Sequence, residues 1–370
     1  MLLRKCFTAM ALLSGLMAPT LSQAGPLYTV TLLPSVDFAP AAMNNTGQIV
    51  GFAGMAGGGT ETVVYSGGVL RGLGALGGVA SYGTAINDAG TITGSFQTTS
   101  GESHGFLYQD GHAIDIGAGT AGHGINAHGD VVGSKYSANG ETGFVYASGK
   151  LTELANLGLG TQGRAIDIDD AGNIAGESSI DHDTGHAAVH PFLYRDGAMA
   201  DLGPLGNNRV TGAVAINNAG QVAGYSEGLD GTHAFLYQAG TMRDLGNLGS
   251  ESLSIHGMNA HGTLVGTAAN EEQGLIPFIS LGDTLVDLNT LIDPLLGWQI
   301  FSAYANNDLG QVVGWGCQGD TCGLVRLDLA SAVPEPTQAL LLGAGVLLLF
   351  GLPVMRASRQ RWRGPRMRGA

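Results

Sequence analysis

Short apolar segments alternate along most of the chain with clusters of Gly, Asn and Asp. In one representative copy the pattern predicts four short strands, at 82–86, 91–96, 105–108 and 113–116. The segment Asn87-Asp88-Ala89-Gly90 suits a hairpin turn, because an asparagine side chain caps such turns and glycine accepts a positive φ. No part of residues 25–332 has a sustained helical period. The pattern therefore predicts an all-β protein.

The four-strand unit returns along the chain at a regular spacing. The common pattern is an apolar residue, Asn, any two residues, Gly, any residue, Ile or Val, any residue and a second Gly; the fourth copy has Asp169 in place of the Asn, and the seventh is degenerate, with Asn306-Asn307. The first glycines lie 39 to 48 residues apart, at positions 47, 90, 129, 172, 220, 262 and 310. A Phe-Leu-Tyr-like strand and, in six copies, an Asp-Leu-Gly-like strand follow. Four strands at this period are typical of the blades of a β-propeller.

The two ends of the repeat region favour a closed ring. The seventh copy has its Gly310 turn and its Leu324-Val325 strand, but no Asp-Leu-Gly strand follows them. A spare strand lies instead at residues 28–33, ahead of the first copy. We therefore predict a seven-bladed β-propeller over residues 25–332, closed by the N-terminal strand, which protects sheet edges that an open stack exposes. An open β-solenoid or sandwich array is the alternative.

The repeat also resembles a known family. The segment His233-Ala234-Phe235 spells the name of the HAF repeat of bacterial extracellular proteins, and the resemblance spans nearly the whole repeat region. It implies an extracellular setting and brings no established chemistry.

The first 24 residues are typical of a secretory signal peptide. Arg4 and Lys5 precede an apolar run at 7–18, which is too short to span a bilayer, and small residues lead up to Ala24. We predict cleavage by signal peptidase after Ala24. An N-terminal membrane anchor is the alternative.

Residues 333–370 combine three features in order: Pro334-Glu335-Pro336, an apolar run and an arginine cluster. The run at 339–355 predicts a transmembrane helix at the lower edge of spanning length, and the arginines predict that its far end is cytoplasmic. The cluster begins with Arg356, Arg359 and Arg361. The three features resemble the PEP-CTERM sorting signal of Gram-negative bacteria. The resemblance implies cleavage by an exosortase and transfer to the cell surface or medium, often in species that make an exopolysaccharide; a permanent tail anchor is the alternative.

Charge and cysteine content narrow the classes of partner. Residues 25–336 contain eight basic residues against all 30 acidic ones, a formal charge of −22. This charge excludes nucleic acid and anionic lipid as partners, because both require basic contacts. In an exported protein, Cys317 and Cys322 predict a disulfide that closes a small loop between two strands.

The densest group of metal-ligating side chains lies in the longest insertion of the fourth copy. It comprises Asp181, His182, Asp183, His186 and His190, which have the chemistry to bind zinc or copper. The alternative, which we favour, is a solvated polar loop. Asp167, Asp169, Asp170 and Gly172 resemble the start of a calcium loop but lack two of its ligands, so only weak Ca²⁺ binding is considered.

No pattern in the sequence indicates catalysis or a cofactor. Neither a Gly-x-Ser-x-Gly segment, nor a cysteine paired with a histidine, nor a serine near a basic partner stands out against the repeat, and the glycine-rich segments match neither a P-loop nor a dinucleotide fingerprint in a strand-to-helix setting. Trp298 and Trp315 have side chains that can stack on sugar rings, but burial between blades near the closure is the interpretation that we favour. We predict a non-catalytic structural or binding module of the exopolysaccharide matrix. The alternative is a secreted propeller lyase or hydrolase that acts on polysaccharide, since the fold by itself does not decide function.

Overall fold

The computed structural model describes most of the repeat region, namely residues 28–34, 38–157, 162–180, 188–208, 210–272 and 274–330. These ranges contain 28 β-strands and two 3₁₀-helices, η1 (Leu288–Leu291) and η2 (Pro294–Leu296), and they contain no α-helix. The all-β prediction is therefore confirmed. The predicted signal peptide (1–24), sorting segment (333–370) and membrane helix (339–355) lie outside the described residues. Within the described ranges, no helix is long and apolar enough to cross a membrane.

The strands form seven antiparallel units of four, which we number I to VII. Unit I consists of β2 (Ala39–Met43), β3 (Ile49–Gly54), β4 (Thr60–Ser66) and β5 (Val69–Gly72). Unit II consists of β6 (Ala80–Ile86), β7 (Ile92–Gln97), β8 (Ser103–Gln109) and β9 (His112–Ala118). Unit III consists of β10 (Thr120–Ile125), β11 (Val131–Ser137), β12 (Gly140–Ala147) and β13 (Lys150–Glu153). The four strands predicted for the second copy are confirmed in unit II, where each observed strand is slightly longer than predicted or is shifted by one residue.

Unit IV consists of β14 (Gly163–Ile168), β15 (Ile174–Ser179), β16 (Val189–Arg195) and β17 (Ala198–Asp201). Unit V consists of β18 (Val210–Ile216), β19 (Val222–Gly228), β20 (Gly231–Gln238) and β21 (Thr241–Gly246). Unit VI consists of β22 (Ser252–Met258), β23 (Leu264–Asn270), β24 (Gly274–Leu281) and β25 (Thr284–Asp287). Units IV and V are joined into one sheet by a single parallel bridge between Val189 and Val210.

Unit VII takes its fourth strand from the other end of the chain. It contains β26 (Trp298–Asn306), β27 (Val312–Gln318) and β28 (Thr321–Leu329). β1 (Tyr28–Leu32) pairs antiparallel with β28 over its full length, from Tyr28 opposite Leu329 to Leu32 opposite Val325. The strand that precedes the first copy therefore supplies the strand that the seventh copy lacks.

The two glycines of the repeat motif have different structural roles. In unit V, Gly220 has a φ of +71° in the turn that Asn217 caps, where Asn217 Oδ1 accepts from the backbone N–H of Ala219 and of Gln221 at 3.1 Å. Gly224 lies in β19 and does not have a positive φ. A Cβ at that position would lie 2.0 Å from the carbonyl oxygen of Gly212 and 2.5 Å from Cζ of Phe235. The second glycine is therefore required by packing.

A buried phenylalanine fills the core of most units. Five of these side chains are almost completely buried, and they occupy the same position in units II to VI: Phe106, Phe144, Phe192, Phe235 and Phe278. Each fully buried side chain of this size contributes about 1.5–3 kcal/mol through the hydrophobic effect. The Phe-Leu-Tyr-like segments identified in the sequence are thus the main apolar strands of the fold.

The cysteine pair lies at the end of the last hairpin. Cys317 in β27 and Cys322 in β28 are opposite each other in the strand register, and their Sγ atoms are bonded at 2.00 Å. The bond closes the small loop between two strands that the spacing of the cysteines predicts.

Candidate functional site

A ring of amide side chains joins the seven units where each first strand ends. We call it the asparagine ring, and its members are Asn44, Asn87, Asn126, Asp169, Asn217, Asn259 and Asn307. In six units the Nδ2 of this residue donates to the backbone carbonyl of the same position in the next unit, over 2.9 to 3.3 Å. The bond from Asn307 to the carbonyl of Asn44 links the last unit to the first at 3.2 Å. The repeated asparagine therefore caps its own turn and also binds the neighbouring unit.

Unit IV interrupts the ring, because Asp169 has no amide to donate. The next residue forms a reciprocal pair of the kind that also joins Asp308 to Asn45: Asp170 N–H donates to Asn218 Oδ1 at 2.9 Å, and Asn218 Nδ2 donates back to Asp170 Oδ2 at 2.7 Å. Asp167 Oδ2 also accepts from the backbone N–H of Ile216 in unit V, at 3.0 Å. The junction between units IV and V therefore lacks the amide-to-carbonyl bond of the asparagine ring, and the Asp167 carboxylate adds a bond of its own.

Each amide of the asparagine ring makes several hydrogen bonds, so we expect the loss of one amide to lower the free energy of unfolding. Asn259 Oδ1 accepts from the N–H groups of His261 and Thr263, both at 3.0 Å, and its Nδ2 donates to Asn307 O at 3.1 Å. At about 1 kcal/mol for each bond, Asn259→Ala should lower the free energy of unfolding by about 3 kcal/mol, measured by urea titration. Asn139, which is exposed in the β11–β12 turn, is the control, and Asn139→Ala should leave stability almost unchanged. Equal effects of the two substitutions would contradict the role of the ring.

Two cavities lie one behind the other inside the ring of units, and all seven units line both. The ring cavity, of about 250 Å³, is lined by the asparagine ring and the residue after each member. The axial cavity, of about 330 Å³, is lined by deeper residues of the first strands. Its polar side chains belong to Thr84, His123, Asp167, His256 and Asn306. Because Asp167 and Asn306 line both cavities, the two spaces meet at these residues.

Asp167 makes the channel asymmetric. Its equivalents in the other six units are Ala42, Ala85, Gly124, Ala215, Gly257 and Ala305, all too small to carry a polar group. The neighbouring unit makes room for the carboxylate, because a Cβ on Gly124 would lie 2.8 Å from both Cα and Oδ1 of Asp167. A single carboxylate thus stands in a channel that is otherwise built from small residues at this level.

The surroundings of Asp167 disfavour its charge. Oδ1 accepts from the N–H of Ile168 at 2.9 Å and Oδ2 from that of Ile216 at 3.0 Å. These bonds favour the ionised form, but burial dominates and, with the nearby Asp169, raises the pKa of Asp167 to about 7. No ion pair within the described residues includes Asp167. The carboxyl group is therefore poised to change charge near neutral pH.

Two histidines in the axial cavity hold a defined tautomer. His123 Nδ1 lies 2.9 Å from the carbonyl oxygen of Ala165, and His256 Nδ1 lies 2.7 Å from that of Ala303. A carbonyl oxygen only accepts, so Nδ1 carries the proton in each ring, and Nε2 is an acceptor when the ring is neutral. Burial is the main cause that lowers the pKa of His123, which favours its neutral form.

Asn306 has an unpartnered oxygen beside the same space. The residue is 8% exposed, and its Nδ2 donates to Thr263 O at 2.9 Å. Its Oδ1 is buried and has no hydrogen-bond partner among the residues that the structure describes. An oxygen of this kind is costly to leave unpaired in an apolar environment.

Most of the metal candidates from the sequence lie outside the described residues. Asp181, His182, Asp183 and His186 fall in the undescribed segment 181–187. His190 lies in β16, where its Nδ1 is 2.9 Å from Asp201 Oδ2. The same pair recurs as His104 with Asp115 and His233 with Asp244. His190 thus occupies a repeated structural position. Across the described ranges, no three His, Cys, Asp or Glu side chains are grouped so as to hold a metal ion.

The remaining candidates have structural contacts. Asp169 caps its turn by accepting from the N–H groups of Ala171 and Asn173, as expected for the ordinary turn of the repeat. Trp298 and Trp315 are partly buried: Trp298 packs against the hydrophobic cluster between units VI and VII, and Trp315 against the one between units VII and I. The sorting residues Pro334, Glu335, Pro336, Arg356, Arg359 and Arg361 lie beyond the described ranges. The sequence pattern did not identify the channel residues Asp167, His123, His256 and Asn306 as a group, although alignment of the repeats marks Asp167 as the odd residue.

Comparison with known proteins supports the fold and no more. No protein-family model matches the chain, and no curated protein is similar to it in sequence. The β-propeller domain of the Trilobed protease from Pyrococcus furiosus, described as having an open velcro topology, is 10% identical with a TM-score of 0.54, over 84% of this chain and 98% of that one. A chain from a structural study of two prolyl endopeptidases is 10% identical with a TM-score of 0.50, and the match covers 82% of this chain and 50% of that one. TolB from Acinetobacter baumannii is 12% identical with a TM-score of 0.45, over 64% of this chain and 61% of that one. The chain thus has the fold of a β-propeller, and it spans only part of the last two proteins.

Proposed function

We propose that the protein is an exported, non-catalytic binding module of a bacterial cell envelope, built as a seven-bladed propeller that β1 closes. The pairing of β1 with β28 and the bond from Asn307 to Asn44 support closure. In this proposal signal peptidase removes residues 1–24, an exosortase processes the segment 333–370, and the propeller reaches the surface or the exopolysaccharide matrix. A matrix glycan is the proposed ligand.

The observation that carries the binding role is the composition of the channel. Seven equivalent strands surround it, and its polar lining consists of isolated groups from different units. The described residues that line the axial cavity include no serine or cysteine, and the one hydroxyl among them, that of Thr84, donates to the carbonyl of Gly122 at 2.9 Å. A serine or cysteine nucleophile paired with a base is not found among the described lining residues. The channel is better suited to holding a ligand than to attacking one.

A glycan array with the full chain, produced in a Gram-negative host and recovered in its exported form, tests this function. We expect binding to envelope or matrix polysaccharides without release of new reducing ends or unsaturated products. Product formation during incubation with the bound polysaccharide would instead establish the lyase or hydrolase alternative. Failure to bind any glycan would overturn the glycan-binding role.

The sorting step has its own measurement. Mass spectrometry of the exported protein should show a mature N-terminus at Gly25 and the loss of the arginine cluster from the C-terminus. An intact arginine tail on protein found at the surface would contradict exosortase processing and would establish the tail-anchor alternative.

A further inference from the structure

The free polar groups of the axial cavity are hydrogen-bond acceptors. A carboxylate has about four lone-pair sites, and the two bonds from backbone N–H groups leave further sites on Asp167. When its ring is neutral, each of His123 and His256 has Nε2 as an acceptor, and Asn306 has its unpartnered Oδ1. Thr84 uses its proton on Gly122 O, so its oxygen also accepts. A complementary ligand must therefore donate several hydrogen bonds.

The charge around the channel selects a cation. Asp88, Asp169, Asp170 and Asp308 line the ring cavity, Asp167 lines both cavities, and no Lys or Arg is among the described lining residues of either. A cleft lined by one sign of charge raises the local concentration of the opposite ion. A metal ion does not fit, because no group of three suitable ligands exists within the described ranges. The expected ligand is a small organic cation.

Size and shape narrow the class further. A cavity of about 330 Å³ is at the lower end of the range for small-molecule sites, which suits one sugar unit. Ile166, Val214 and Met258 supply apolar wall beside the acceptors, and a sugar ring presents both C–H faces and O–H donors. An ammonium group suits the carboxylate of Asp167, and hydroxyl groups suit the neutral acceptors.

We propose that the axial cavity binds an amino sugar. The primary ammonium group of the sugar donates hydrogen bonds to the Asp167 carboxylate, and the hydroxyls of the sugar donate to Asn306 and the two histidines. This inference rests on the proposed glycan-binding function and names the class of glycan: a polysaccharide with free, non-acetylated amino groups.

Isothermal titration of the full chain with glucosamine at pH 7 tests the inference, with glucose, N-acetylglucosamine and methylammonium as comparison ligands. We expect glucosamine to bind at least about tenfold more tightly than each of the other three, because only glucosamine carries both the cation and the hydroxyls. Asp167→Asn should weaken glucosamine binding by at least about tenfold. Asp201→Asn, which removes a carboxylate paired with His190 outside the channel, should leave it unchanged.

A second variant keeps the test decisive if Asp167→Asn does not fold. Val214 lines the axial cavity, and Val214→Lys introduces an ammonium of the chain itself into that space. We expect a folded Val214→Lys protein to lose glucosamine binding. Wild-type affinity in this variant, or equal affinity for glucose and glucosamine in the unmodified chain, would overturn the inference. If the glycan array gives only neutral or acidic glycans, the binding function stands and the amino-sugar inference fails; if it gives none, both fail.

Discussion

Gly224→Ala is expected to destabilise the protein severely or to prevent folding. The new Cβ would lie 2.0 Å from the backbone oxygen of Gly212 and 2.5 Å from the ring of Phe235, which is fully buried. Neither neighbour is the free end of a flexible side chain, so β18 and β19 must separate or the ring must leave its position. Overpacking of a core costs about 1–3 kcal/mol, and a clash with backbone adds to it, so we expect a loss of at least about 3 kcal/mol in the free energy of unfolding.

Thermal and urea unfolding of purified protein measure this loss. Gly54→Ala is the matched control, because Gly54 also lies in a second strand, has no positive φ and has no atom within 4 Å of the position that a Cβ would take. Its stability should change by no more than about 0.5 kcal/mol. If the two variants were equally stable, packing of the second glycine would not be a requirement of the fold.

The ionisation of Asp167 is expected to make stability fall as pH rises. Burial raises its pKa from 3.8 to about 7 in the folded chain. The folded state therefore binds more protons than the unfolded state between these values. The contribution of Asp167 to the free energy of unfolding is fully present below pH 3.8 and is lost as pH rises through 7. The total loss is about 4 kcal/mol, and about 3 kcal/mol of it occurs between pH 5 and 8.

Comparison with Asp167→Asn isolates this effect, because asparagine does not titrate. Other titratable groups lie near the carboxyl: Asp169 is close to it, and His123 and His256 share the axial cavity. The lowered pKa of His123 acts in the opposite direction, since a histidine buried in its neutral form loses stability when pH falls. Subtracting the free energy of unfolding of the variant from that of wild type at each pH removes the contributions of groups that the two proteins share.

We expect wild type to lose about 3 kcal/mol relative to Asp167→Asn between pH 5 and 8, measured by urea unfolding at each pH. Asp320→Asn, at an exposed turn between β27 and β28, should show the same pH dependence as wild type. Parallel curves for wild type and Asp167→Asn would show that Asp167 does not titrate in this range. An amino-sugar cation bound beside Asp167 should also reduce the loss at high pH, because it stabilises the ionised form.

The sequence was sufficient for the local structure because each unit repeats the same signals. Positive φ at the first glycine, the cap by Asn217 and the apolar Phe-Leu-Tyr strand depend on residues within a few positions of one another. Seven repetitions made the strand order readable, and the displaced strand at 28–33 indicated its partner at the far end of the chain. His104 and His233 stand at the same position of two copies, ahead of the Phe-Leu-Tyr-like strand, and each contacts an aspartate of the following strand, Asp115 and Asp244.

The sequence was insufficient for contacts between units, because their partners lie about 40 residues apart or at opposite ends of the chain. Three features depend on how neighbouring strands face one another. They are the hydrogen bond from each ring asparagine to the next unit, the close packing that excludes a Cβ at Gly224, and the cavity that Asp167 shares with His123, His256 and Asn306. A hydrophobic period specifies which face of a strand is buried, but not which groups meet across a channel. The sequence by itself thus determined the repeated unit and its all-β character, and the tertiary structure alone decided where the asymmetric carboxylate lies and what surrounds it.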